Sequence, residues 1–241
     1  MADPPDVALL EDVAARLPDK QQAVILKDLT RRIVINHSCL TDLGYCSQLL
    51  ELLEKGFTAN GIDERESLLI QHSMLCNATI LDARATNGGS MFGGRGSIDV
   101  TPKLSEDERE SHESIIEFRN TAVAHVHIAH DIEGYAWNPS HAVVVDEGDG
   151  FRFGAVSRPL SMQEFIWKHL KKAVPVSLEI VRANFHKYLD HAAELVAKLD
   201  DHEPVNASLQ NSAKLLGSKE SAQAVLGDRQ GGSTFGVGRE G

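Results

Sequence analysis

Three side chains suited to phosphodiester chemistry fall close together in Glu117-Phe118-Arg119-Asn120-Thr121-Ala122-Val123-Ala124-His125. An arginine guanidinium holds phosphate through paired N–H donors, a histidine moves a proton near neutral pH, and an amide can orient either one. The same residues also suit an ordinary helix C-terminus, where cations complement the negative end of the dipole and bond its last carbonyls. A third chemistry is open as well. His125, His127 and His130 spell His-x-His-x-x-His with Asp131 next, and histidines three apart on a helix can share a metal ion. His127 and His130 are the candidate ligands on that reading, but no cysteine pair or carboxylate elsewhere completes the set.

The elements that must position these residues read mainly as helices. Apolar residues recur at three and four from Val24 through Leu53, predicting a long helix from Lys20 to about Gly56 with Asp19 as its N-cap. A short helix precedes it over Val7 to Arg16. A further long helix is expected from about Glu64 to Arg84, and the glycine-rich 87–96 reads as a connection. That stretch is no phosphate loop, because no Gly-Lys-Ser/Thr follows it and no apolar strand precedes it. Ser105 with Glu108 has the form of a capping box and opens a helix expected to run from Glu106 to His130, with Arg119 near its end. Period-two patterning around a glycine-containing turn then predicts a β-hairpin over about 141–157. A last long helix follows from Ser161 to about Leu199. The expected organisation is a short helix and linker over 1–19, a helical domain over 20–200 with the hairpin inserted, and a weakly structured tail over 201–241.

Composition agrees with a mostly α, up-and-down bundle of four or more long helices. The 241 residues are 42% hydrophobic but only 5% aromatic, so the core must be built from Leu, Ile, Val and Ala. A net charge of -11 argues against nonspecific binding to duplex nucleic acid, yet leaves room for one local cationic cleft that meets RNA. Cys39, Cys46 and Cys76 are an odd number without metal spacing, and the acidic, Pro-rich opening is not a signal peptide. A cytoplasmic protein is the expectation, with no membrane partner, since no apolar run approaches the ~20 residues a bilayer requires. The cysteines sit among apolar residues and read as small hydrophobes; a catalytic Cys–His pair would need one beside a histidine such as His37 or His72. His112, His169, His186 and His191 are expected to be solvated on charged helix faces. Tyr135 and Trp137 are the nearest platforms on which a base could stack.

Arg119 and His125 are six positions apart. On a straight helix that is roughly 9 Å along the axis and about 120° around it, so the two do not share a face. Either the helix loosens near Ala124, or the site is assembled between two copies of the chain.

Phe-Arg-Asn-Thr-Ala-Val-Ala-His resembles the Arg-polar-x-x-x-Ala-His signature of HEPN domains, small helical bundles many of which are metal-independent ribonucleases in toxin–antitoxin, abortive-infection and CRISPR systems. The abortive-infection type is the nearest in plan, and the resemblance covers roughly Lys20 to Leu199. It implies an endoribonuclease in which Arg119 holds the scissile phosphate, His125 is general acid or base for attack by the ribose 2′-hydroxyl, and Asn120 positions the groups. No cofactor is implied. The implied partners are an RNA substrate, a second copy in a homodimer whose motifs face each other, and an antitoxin or other antiphage-defence component. The alternative is a non-catalytic helical dimerisation or interaction module.

Overall fold

The computed structural model describes residues 6–55, 63–87, 96–120, 131–132, 135–136, 140–146, 148, 151–157, 163–199, 202–215 and 218. Among them the chain is mostly helical with a small β-hairpin, as its composition and periodicity predict. The long helices are α2 (Lys20–Glu54), α3 (Glu64–Thr86), α4 (Glu106–Phe118) and α5 (Gln163–Ala197), preceded by a strand β1 (Asp6–Ala8) and a short helix α1 (Leu10–Arg16). The expected helix starts are built as their sequences require. Asp19 Oδ1 accepts from the Gln21 and Gln22 amides at 2.7 and 3.2 Å, occupying donors that the first turn of α2 would otherwise leave unsatisfied. Asp63 with Glu66 and Ser105 with Glu108 form complete capping boxes at α3 and α4. Burial of two apolar faces, rather than helix propensity alone, holds such long helices in place.

The chain divides into two compact units, one made of residues to Val34 and from Phe185 onward, the other of Ile35–Asn184. In the first, Val13, Ala14 and Leu17 pack against Leu26, Leu29, Ala192 and Leu199. Arg32 stands 5.6 Å from the centre of the Tyr188 ring and ion-pairs with Asp28 at 2.7 Å. Residues 202–215, assigned to the tail on composition, contain a short helix α6 (Glu203–Asn206), a strand β6 (Leu209–Asn211) and a one-turn helix α7 (Ser212–Leu215), whose labels follow those of the second unit's strands. Strand β6 pairs antiparallel with β1, Val7 opposite Gln210, and Pro204 and Ser208 are buried. Residues 219–241 of the expected tail lie outside the described residues.

The second unit contains the candidate motif. Its core is two apolar clusters. Cys46, Leu50, Leu75, Ala78, Ile115, Phe118, Phe165, Ile166, Leu170, Ala173 and Val174 form one, drawing on all four long helices. Cys39, Leu43, Ala85, Val100, Leu104 and Val181 form the other. Between them in sequence, on α3 and α5, fall the fully buried Asp82 and Ser177, so a polar level interrupts the hydrophobic core. The glycine-rich 88–95 lies outside the described residues, but its ends are clasped: Ser97 Oγ donates to the Asn87 carbonyl at 2.5 Å and the Ile98 amide to the Ala85 carbonyl at 2.9 Å. Gly96 follows at φ +86°, where a Cβ would stand 3.1 Å from Ile35 Cδ1, so the position is suited to glycine on both counts. Strands β2 (Asp131–Ile132) and β3 (Tyr135–Ala136) make a minimal ladder, and β4 (Ser140–Asp146) pairs with β5 (Phe151–Ser157) over the hairpin expected there.

Candidate functional site

The motif begins where α4 ends. α4 is fixed along its inner face by Ser111, His112, Ser114, Ile115 and Phe118, all buried. Its regular α-geometry stops at Phe118, where the Arg119 amide is shared between the carbonyls of Ile115 and Ile116, four and three residues back, and Arg119 and Asn120 begin a wider π-type turn. Such local widening re-aims side chains without breaking the helix. The position of the turn is set by Phe118, which is 1% exposed in the first apolar cluster of this unit. Arg119 and Asn120 are exposed, and Arg119 Nη1 donates to Asn120 Oδ1 at 2.9 Å. The bond occupies one guanidinium N–H, while the side chain as a whole faces solvent.

His125, His127 and His130 lie outside the described residues, so the helix expected to reach His130 is described only to Asn120. After these histidines in the chain, β2 lies against α4. The side chains of Tyr135, Trp137 and His141 also lie outside the described residues. Among those described, no group of three or more His, Cys, Asp or Glu side chains is arranged to hold a metal ion. No helix is long and apolar enough to cross a membrane, again among the described residues.

Two histidines depart from expectation. His112 and His169 are buried, at 4% and 7% exposure, where solvated positions were expected. Their charged sequence neighbours obscure the helical phase: His112 is three residues before Ile115, and His169 is four after Phe165, whose ring it meets edge-on at 4.5 Å. Burial lowers the His112 pKa, with Asp99 and Glu113 acting in the opposite direction. Across from it, Asp82 Oδ2 is 3.9 Å from His112 Nδ1, too far for a hydrogen bond, and burial pushes Asp82 up to about 7. This buried pair was not foreseen. Its only sequence signal was an acid on the apolar face of α3, in phase with Ala78 and Ala85.

The thiols are unlike an activated nucleophile. Cys46 Sγ turns to the Ala78 carbonyl at 3.4 Å, and burial raises its pKa well above the ordinary thiol range. Cys76 does stand beside His72, Sγ to Nε2 3.6 Å. Burial raises this thiol and lowers this imidazole, so both move toward their neutral forms, the reverse of a thiolate–imidazolium pair. Asp42, by contrast, is buried but engaged by Arg84, which donates Nε to Oδ2 at 2.7 Å and also bonds Oδ1 through Nη2. No protein-family model, curated protein or solved structure matches this chain.

Proposed function

We propose that the chain is a metal-independent RNA endonuclease of HEPN type. The observation that carries the reading is the exposed Arg119, oriented by Asn120 on a turn anchored by Phe118, immediately before the segment that contains His125. In this mechanism Arg119 binds the non-bridging oxygens of the scissile phosphate and opposes the charge that builds on them. His125 takes the proton as the ribose 2′-hydroxyl attacks phosphorus, and an acid protonates the departing 5′-oxygen. The products are a 2′,3′-cyclic phosphate and a 5′-hydroxyl. Asn120 holds the guanidinium in place. A homodimer would bring two such turns to one cleft and so remove the obstacle of the six-residue spacing. A cytoplasmic toxin or antiphage-defence protein, restrained by an antitoxin, is the physiological setting that this chemistry suits.

The test is cleavage of end-labelled RNA by the full chain in EDTA. Arg119→Ala and His125→Ala should each reduce the rate by roughly 10²–10³-fold with circular dichroism unchanged. Undiminished cleavage by the His125→Ala protein would sink the proposal. A non-catalytic interaction module is the second reading, favoured by the β4–β5 hairpin. There Val144, Phe151 and Phe153 are 58%, 70% and 76% exposed, and cross-strand register places them on one face. A stable dimer that cleaves no RNA would favour that alternative.

A further inference from the structure

The polar level in the second unit contains an imbalance that its neighbours do not correct. Both oxygens of the Asp82 carboxyl group and Nδ1 of His112 are buried without a hydrogen-bond partner. The hydroxyls nearest in sequence are committed elsewhere: Thr79 donates to Leu75, Thr86 to the Asp82 backbone carbonyl, Ser111 to Asp107 and Ser114 to Glu110. Each of those bonds closes on the hydroxyl's own helix; of these hydroxyls only Thr86 acts on the carboxyl group, favouring its charged form, and burial outweighs it. Cys46 on α2 turns its thiol to a backbone carbonyl, and Asp42 is held by Arg84. Native interiors seldom leave such groups unmatched, and an ionised carboxylate left alone there would be strongly disfavoured.

We propose that Asp82 and His112 together form a buried binding site for a single proton, shared between the carboxyl group of α3 and the imidazole of α4. With one proton between them the pair is neutral, either as carboxylic acid and imidazole or as carboxylate and imidazolium. Removing that proton leaves an isolated negative charge, and adding a second leaves an isolated positive one. A rotation that closes the 3.9 Å separation to an ordinary hydrogen bond makes the shared proton the link between α3 and α4. Burial acts on the two groups in the matching sense, raising the carboxyl group and lowering the imidazole, so each favours its neutral form. Among the described residues, the other ionisable groups near the pair are Cys46 on α2, Asp99 from the segment before α4 and Glu113 on α4 itself, with Asp42 on α2, paired to Arg84, acting on Cys46. α5 adds Ser177, which does not titrate in this range, and its buried His169 packs on Phe165. The inference does not depend on the ribonuclease reading, since neither residue belongs to the proposed catalytic set.

The experiment is an NMR titration of the full chain carrying ¹³C-labelled aspartate and ¹⁵N-labelled histidine. The expected result is an Asp82 carboxyl transition near 7 with a coincident response at His112 Nδ1. His112→Gln should move the Asp82 transition by about one pH unit or more, because the second holder of the proton is gone. The proposal is overturned if Asp82 titrates in the ordinary carboxylate range, or if its transition is the same in wild type and His112→Gln. In wild type alone, an Asp82 transition without a coincident response at His112 Nδ1 also overturns it, so the proposal is decided even if the variant does not fold.

Discussion

α4 carries two cationic-type residues two turns apart on one stripe, and they live under opposite rules. His112 is sealed in the bundle with Nδ1 unmatched, whereas Arg119 faces water with a partner at hand. The same helix thus presents one group whose protonation is governed by burial and another whose charge is freely available for binding. Position along the helix, inside the packed bundle or just past its last buried turn, separates a group that tunes stability from one that can meet a ligand.

The sharpest way to break this contrast is to remove what divides inside from outside. Phe118→Ala should cost roughly 3–5 kcal/mol of stability by leaving a cavity in the four-helix core, read as a shift in denaturant midpoint. It should also lower any Arg119-dependent activity, because the turn loses its anchor.

Asp82→Asn tests the buried side. Asp82 has a raised folded pKa, so its contribution is fully present below the unfolded carboxylate value and is lost as pH rises through about 7, a loss of about 4 kcal/mol. His112 has a lowered folded pKa, so its contribution is present above the ordinary imidazole value and is lost as pH falls. Wild type should therefore weaken between pH 5 and pH 8 relative to Asp82→Asn, with the gap widest at the alkaline end. Parallel melting-temperature curves for the two proteins would contradict this.

Arg119→Ala tests the exposed side. It should leave stability within about 0.5 kcal/mol of wild type while reducing RNA cleavage by roughly 10²–10³-fold. A large loss of stability would place Arg119 among the structural groups and erase the distinction. The smallest effect is expected at the other end of the helix, where Ser105→Ala removes one half of the capping box. Its cost should be about 1 kcal/mol in chemical denaturation, with cleavage per folded molecule unaffected.

Helix periodicity and capping chemistry made much of this architecture readable. Asp19, Ser105 and Glu108 announce helix starts through local hydrogen bonding, and the Val-rich and Phe-rich strands around Gly148 announce the hairpin. What was not readable depended on contacts distant in sequence. The stretch from 202 to 215 is poor in apolar residues, yet β6 finds a partner in β1 almost a chain length away, which no local pattern encodes. His112 and His169 have charged sequence neighbours, and only the phase set by Ile115 and Phe165 reveals that they point inward. Of the candidate site, Arg119 and Asn120 are described, exposed and just past α4, while His125, on which the six-residue spacing depends, falls outside the described residues.

The clasp at the base of the glycine-rich stretch has a practical consequence for how the chain tolerates change. Because Ser97 closes on Asn87 and Ile98 on Ala85, the two ends of the stretch are held together by the described residues themselves. Its length is thereby uncoupled from the packing of α3 and α4, since doubling a closed loop costs only about 0.6 kcal/mol. An affinity tag or fluorescent reporter spliced between residues 88 and 95 would report on the protein while leaving the turn at Arg119 in place.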